Sequence, residues 1–413
     1  MKPTISFLLG SGFSVPENLP SVRTLNERLK KINESEICIH TSLQAFFLNG
    51  QNDPNRIFNW DSRNFLQEFL EYYNSEILTE GEEFHYETFY DFYSGYLHSR
   101  ENKIEIERFW NSFNEKYFKH EEHPRDCLNR ISDFNKSFSQ LLGELLHRPQ
   151  YFQDVGYSDY PPYDDFVQLL LKLIEKNDVK VHTLNHDLFF DWLGHHRTKL
   201  FEYFCDGFEL AGSPYYGSVG FDFNKGTNKE IHKNYNVKLE YFTDKYDKPI
   251  CFFKLHGSIF NKILYTPYPL QKAVRIKTNY AVSQYYMEVF DDKKNEYKFE
   301  NLLDRVDPDF LSGTTNKARS YTGDPYYASL FKHFEKNISS SELLFVIGYG
   351  FQDPGINDYV EQYFLKRGKK MIVIDPSNSC KDLLSKYKGI HIAKILEEVS
   401  IAEYLKEVPN SMI

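Results

Sequence analysis

Five apolar runs that stop abruptly at glycine or polar clusters constrain this chain more than any other feature. They are "ISFLLG" (5–10), "VKVHTLNHD" (179–187), "PICFFKLHGS" (249–258), "ELLFVIGYGFQDPGIN" (342–357) and "KKMIVIDPS" (369–377). Segments of helical length and composition precede most of them: "FVQLLLKLIEKN" (166–177), the stretch around "YYASLFKHFEKN" (326–337), and "INDYVEQYFLKRG" (356–368) with Gly368 as a stop. After the first run Val22, Leu25, Leu29 and Ile32 recur at spacings of three and four, with Ser21 as N-cap. Helices alternating with continuous apolar strands predict an α/β fold, a mostly parallel sheet with helices on both faces. Ligands of such sheets sit outside the carboxyl ends of the strands, near the point where strand order reverses. The five exits here carry Gly-Ser-Gly, Asn-His-Asp, His-Gly-Ser, Gly-Tyr-Gly and Asp-Pro, so the chemistry gathers at one end of one sheet.

About 150 residues between the first and second strands break this alternation. Phe65, Phe69 and Tyr73 share a helical stripe with Leu66, Leu70 and Ile77, and "FNKSFSQLLGELLH" is similar, which predicts a helical insertion over 58–160. The chain's 31 Tyr and 36 Phe concentrate there and again between about 201 and 300, which suggests helical insertions or subunit contacts, with ordinary core the simpler reading of any single position. The stretch 210–300, with many Gly, Asn, Tyr and Lys residues, is expected to hold irregular insertions, loops or small hairpins. A formal net charge of −10 without a long Lys/Arg run argues against direct nucleic-acid binding. The longest apolar runs fall far short of the ~20 residues a membrane span needs. Lys2 and Pro3 lead straight into the first run, which predicts no secretory leader. Five widely spaced cysteines (Cys38, Cys127, Cys205, Cys251, Cys380) are then expected to be reduced thiols of a cytoplasmic protein. No Cys-x-x-Cys occurs, which excludes a zinc ribbon.

Gly10, Ser11 and Gly12 follow a strand, where missing Cβ atoms let backbone N–H groups approach a diphosphate; a tight strand-to-helix turn without a ligand explains them as well. Position 15 is Val, so the third glycine of the dinucleotide fingerprint is absent, and no Gly-Lys-Ser/Thr follows. Asn185 and Asp187 can hold ribose hydroxyls or a water, or simply form a turn and cap the next helix. His256 ends an apolar strand, where a neutral imidazole can act as a general base near pH 7. Asp375 stands where an acid commonly receives adenosine ribose hydroxyls, or turns the chain before Pro376. Gly348, Gly350 and Asn357 flank a loop on the adenine side, and Asp353 reads as a turn or cap. His182 and His186 read as surface residues; with His195 and His196 they match no closed zinc motif, so no metal is expected.

The order of these motifs resembles the sirtuin superfamily, in its bacterial branch of NAD-consuming defence effectors. "LLGSGFS" resembles the opening Gly-Ala-Gly-x-Ser loop, "TLNHD" the Thr-x-Asn-x-Asp box and "KLHGS" the Lys-Leu-His-Gly-Ser box. "CDGF" (205–208), "FLSGTTNK" (310–317) and "IGYGFQDPGIN" (347–357) resemble further boxes of that branch. The resemblance implies one sirtuin-like, Rossmann-like NAD-binding domain over 1–413, with NAD as substrate. It implies that Gly10, Ser11, Gly12 and Ser14 bind the diphosphate and nearby ribose, and that Asn185 orients ribose or water with support from Asp187. It further implies His256 as the catalytic base, and Asp375 with Gly348, Gly350 and Asn357 at the adenosine half. Protein-deacylating sirtuins carry two Cys-x-x-Cys pairs that this chain lacks. The expected reaction is therefore hydrolysis of NAD to nicotinamide and ADP-ribose, a regulated effector step in phage defence. An NAD-dependent deacylase or ADP-ribosyltransferase and a non-catalytic NAD or ADP-ribose sensor stand as alternatives. The same resemblance implies a homo-oligomeric ring and a HerA-type ATPase partner.

Overall fold

The computed structural model describes residues 2–17, 19–40, 45–48, 59–118, 126–146, 161–196, 198–225, 229–266, 272–278, 282–304, 324–375 and 390–393, and in it each of the five apolar runs is a strand of one parallel sheet. The strands are β1 (Thr4–Leu9), β2 (Asp178–Thr183), β3 (Phe204–Cys205), β4 (Ile250–Lys254), β5 (Ser341–Ile347), β6 (Lys370–Ile374) and β7 (Ile390–Ala393). Their spatial order is β7-β6-β5-β1-β2-β4-β3, with every neighbouring pair parallel. The fold is α/β and Rossmann-like. The two edge strands β3 and β7 lie outside the five runs: one is two residues long and the other only four.

Alternation along each strand distributes the core to both faces. Phe7 and Leu9 of β1 join a cluster with Val181, Phe252 and Phe345, while Leu8 joins Phe253, Val346 and Val373 on the other side. The first face is covered by α6 (Pro161–Ile174) and by the helices between β1 and β2. Those are α1 (Val22–Leu29), α2 (Trp60–Tyr72), α3 (Tyr86–Ser99), α4 (Lys103–Tyr117) and α5 (Cys127–Leu146). The second face is covered by α8 (Pro325–Ser340) and α9 (Pro354–Tyr363); α7 (Phe189–His196) follows β2. Ser21 caps α1, its hydroxyl accepting from the Thr24 N–H at 3.2 Å. No helix among the described residues is long and apolar enough to cross a membrane.

The aromatic supply of the helices between β1 and β2 is directed inward. Phe65 meets Phe109 at 5.3 Å between ring centroids, Phe69 meets Phe134 at 5.0 Å and Phe89 meets Phe138 at 5.4 Å. These rings build a local core of edge-to-face pairs, the simpler of the two readings for each of them.

The described residues of 210–300 form antiparallel hairpins, one of the expected alternatives, and their strands are long and regular. Tyr215–Lys225 pairs antiparallel with Lys229–Lys238 and with Val282–Asp291, which pairs in turn with Glu296–Asn301. A second antiparallel sheet contains Gly207–Glu209, Tyr241–Lys245, Asn261–Tyr265 and Ala273–Lys277. Antiparallel sheets carry polar residues on a solvated face, which hides the strand signal in an Asn-, Lys- and Gly-rich composition.

His182, read from the sequence as a surface residue, is fully buried in β2. Its Nδ1 lies 3.1 Å from the Phe7 carbonyl and its Nε2 lies 3.1 Å from Asn337 Nδ2 of α8, a pattern that a neutral ring with Nδ1 protonated satisfies. Burial pushes its pKa down to about 3 from an ordinary value near 6.5. The unfolded chain takes up a proton below ~6.5 that the folded chain refuses until near its own lower value. This contribution is therefore complete above that range and drains as pH falls, by up to about 1.4 kcal/mol per pH unit. His182→Gln is expected to flatten the acid limb of melting temperature against pH between about 6 and 4; parallel limbs for variant and parent would contradict it.

Candidate active site at the carboxyl end of the sheet

Strand order reverses at β1. From it the chain builds β2, β3 and β4 on one side, then returns to lay β5 against its other edge and continues to β6 and β7. The loops leaving β1 and β5 therefore meet above the switch point. They meet backbone to backbone: the Gly10 N–H donates to the Ile347 carbonyl at 2.9 Å and the Gly12 N–H to the Gly348 carbonyl at 3.0 Å. A Cβ on Gly10 would lie 2.5 Å from Gly348 O, and one on Gly12 would lie 2.8 Å from Gly348 Cα. Gly348 itself has φ 61°. The Phe13 and Ser14 N–H groups close the turn onto the Gly10 and Ser11 carbonyls, both at 3.0 Å. Four N–H groups of the loop are thus donated within the fold, and loop-to-loop packing already demands both glycines.

Asn185 leaves β2 and reaches under the same loop. Its Nδ2 donates to the Gly10 carbonyl at 2.9 Å and to Ser14 Oγ at 3.1 Å, leaving Oδ1 as the acceptor not used by these bonds. Asp187 is buried; its Oδ1 accepts the Phe189 N–H at 2.9 Å, and Ser14 hydrogen-bonds the same carboxyl. Burial raises the Asp187 pKa, opposed by the nearby Lys254 charge. The Lys254 ammonium donates to the Asp187 carbonyl and, at 2.7 Å, to Asp191 Oδ2. Lys277 approaches the other Asp191 oxygen at 3.5 Å and pairs with Asp206, so a buried chain of alternating charge links β4 to the second antiparallel sheet.

His256 follows β4 in a turn closed by the Gly257 N–H on the Lys254 carbonyl at 3.0 Å, with Gly257 at φ 80°. The imidazole is 3% exposed, and its Nε2 lies 3.6 Å from Asp353 Oδ2. The other Asp353 oxygen accepts the Ile356 N–H at 3.2 Å and caps α9. Asp353, a cap as its place before Pro354 suggests, thus also faces the histidine.

A cavity of about 950 Å³ opens above these loops, at the upper end of the usual size for ligand sites. Gly10, Ser11, Asn185, Asp187, His256, Gly348 and Gly350 all line it, together with His186 and Asp353. Gly12, Ser14, Asn357 and Asp375 do not. Gly12 and Ser14 lie beneath the loop. Asn357 braces the β5 exit, its Nδ2 donating to the Phe351 carbonyl at 2.8 Å and its Oδ1 2.9 Å from the Tyr349 hydroxyl. Asp375 is buried just past β6. The "FLSGTTNK" box and Pro376 fall outside the described residues. The opposite wall comes from α1 and from residues 83–88, and the two are joined by the Tyr86 N–H donating to Asn26 Oδ1 at 2.9 Å. Arg23, Lys30 and Lys31 bring cationic groups to the α1 side, with Glu27 beside Arg23; Glu83 and Glu87 stand on the adjoining wall. Nothing in the periodicity of "EEFHYET" marks this second wall, which sequence reasoning missed. Among the described residues no group of three or more His, Cys, Asp or Glu side chains could hold a metal ion.

No family model matches the chain, and no curated protein does. Solved structures that are similar to it include a sirtuin described for the structural basis of substrate affinity, at 10% identity and TM-score 0.33 over 99% of this chain and 94% of that one. Sir2 in complex with an inhibitor, 2'-O-acetyl-ADP-ribose and a deacetylated peptide aligns at 9% identity and TM-score 0.33, again over 99% and 94%. Sir2Tm bound to a propionylated peptide aligns at 10% identity and TM-score 0.34, over 100% of this chain and 94% of its own.

Proposed function

We propose that this chain hydrolyses NAD at the bond between nicotinamide and ribose, releasing nicotinamide and ADP-ribose. The observation that carries the reading is the convergence of Ser11, Asn185 and His256 on one cavity at the switch point of a parallel sheet. Cleavage of an N-glycosidic bond passes through an oxocarbenium-like transition state, so the site must hold the ribose and deliver water to one face. Asn185, with both Nδ2 protons committed, offers Oδ1 to a ribose hydroxyl or to that water. His256 takes the proton released as water adds to the ribose carbon, and Asp353 stabilises the imidazolium that forms. The diphosphate has Arg23, Lys30 and Lys31 available on the α1 side. Asp187 touches Ser14 and the start of α7, and acts as a positioning residue behind Asn185.

The proposal extends to a regulated effector of phage defence by NAD depletion, assembled from copies of itself and paired with a HerA-type ATPase; the order of sequence motifs is its support. The test incubates the purified chain with NAD, alone and with that ATPase, without acylated peptide, and reads products by mass spectrometry. Nicotinamide and ADP-ribose in equal amounts support the reading. In a parallel incubation with acylated peptide, turnover that appears only there and yields acyl-ADP-ribose, or label transferred to protein in either incubation, would move it to group transfer. Calorimetric NAD binding without product would make the chain a sensor.

Asp353→Asn keeps a good helix cap while removing the charge that faces His256. About tenfold slower turnover is expected, with the acid limb of the pH–rate profile displaced to lower pH, because the carboxylate favours the protonated ring. An unchanged profile would remove Asp353 from the mechanism.

A further inference from the structure

The paired strands β2, β4 and β3 place three side chains in one row across the sheet: Lys180, Cys251 and Cys205 are mutual register partners. Cys205 Sγ lies 3.7 Å from Cys251 Sγ, and the Lys180 ammonium lies 3.1 Å from Cys251 Sγ on its other side. Cys251 is fully buried, whereas Cys205, on the edge strand, is partly open to solvent. Neighbouring strands run about 4.8 Å apart, within the Cα separation a disulfide spans. We propose that Cys205 and Cys251 form an oxidisable dithiol that hydroperoxides close to a reversible disulfide.

The pair is built to share one proton. The hydrogen bond from Cys205 holds the Cys251 pKa below that of an ordinary thiol, with Lys180 acting in the same sense, and the same bond raises that of Cys205. In the fully protonated pair the Cys251 S–H has the Lys248 carbonyl as acceptor at 3.1 Å. Loss of one proton to solvent leaves a monoanion whose charge rests mainly on Cys251; its minor form, with the remaining proton moved from Cys205 to Cys251, places the thiolate on Cys205, the sulfur that solvent reaches. Its electron pair forms an S–O bond with the terminal oxygen of the hydroperoxide as the O–O bond breaks; the departing oxygen takes back a proton from solvent and leaves as an alcohol, or as water from hydrogen peroxide, giving a sulfenic acid at Cys205. Cys251 then gives up its proton and attacks that sulfur; the S–S bond forms, the S–O bond breaks, and the oxygen leaves as water. Two thiols lose two electrons and one hydroperoxide gains them. The product ties edge strand β3 to β4, the strand that runs on into His256.

The test treats the full-length protein with graded hydrogen peroxide, alkylates the remaining thiols and maps peptides by mass spectrometry. One cross-linked pair containing Cys205 and Cys251 is expected, reversed by dithiothreitol, while the buried Cys38 and Cys127 stay alkylatable only after denaturation. Cys251→Ser should leave Cys205 as a sulfenic acid that dimedone traps. Lys180→Met should slow cross-linking roughly tenfold, and Lys180→Arg should restore it. Recovery of Cys205 and Cys251 on separate peptides, both alkylated or each overoxidised alone, would overturn the proposal; this readout on the unmutated chain does not depend on any variant folding.

Discussion

Replacing His256 by alanine is expected to slow nicotinamide release by about 10²- to 10⁴-fold, the range that loss of a positioned general base produces. The residue sits between two buried systems, the Lys254 charge chain on its N-terminal side and Asp353 across the cavity floor. Its removal deprives the incoming water of a proton acceptor without touching the Gly10, Ser14 and Asn185 bonds that shape the floor. NAD binding, measured by calorimetry, should change far less than turnover. A variant as fast as the parent would end the hydrolase reading as formulated. Equal loss of binding and rate would recast His256 as a structural residue.

Gly348→Ala is expected to be the most damaging single-methyl change at the site, costing about 3 to 5 kcal/mol of stability. The added Cβ would collide with the Gly12 and Phe13 backbone, where no rotamer can relieve the contact, and the residue must keep φ 61°. A fall in melting temperature of about 4 to 6 °C follows for a chain of this length. Gly350→Ala is the control, because its Cβ would meet nothing nearer than Gln352 Cγ at 3.8 Å. It should shift stability by less than about 1 kcal/mol. Comparable losses for both variants would mean that the backbone contact between the loops is not what selects glycine at 348.

The parallel sheet was legible because strands covered on both faces read as unbroken apolar runs, and β1, β2, β4, β5 and β6 are of that kind. Ser21 was legible because a cap is a local device. The antiparallel strands of 207–304 were not: Tyr215 is buried while its neighbour Tyr216 points to the other face, and a half-solvated strand rich in Lys and Asn resembles loop. Asn185 and His256 stood out as polar residues at abrupt strand exits. Asp353 did not, since its cap role is visible in its own helix while the contact with His256 exists only once β5 has crossed to the far side of β1. The glycines of the first loop show the converse. Their spacing allowed a diphosphate turn or a tight turn without a ligand, and their N–H groups are taken up by Ile347 at the end of β5 and by Gly348 just past it.

That last contact governs how the cavity can breathe. The β1 and β5 exits interlock through paired hydrogen bonds and glycine-to-glycine contact, so the floor of the site moves as one plate. The opposing side, residues 83–88, is tied to α1 by the Tyr86–Asn26 bond and to the helical core by Phe84 and Tyr86. The chemical groups of the β1 exit thus sit on an interlocked foundation, and amide exchange should be slow at 10–14 and 346–348.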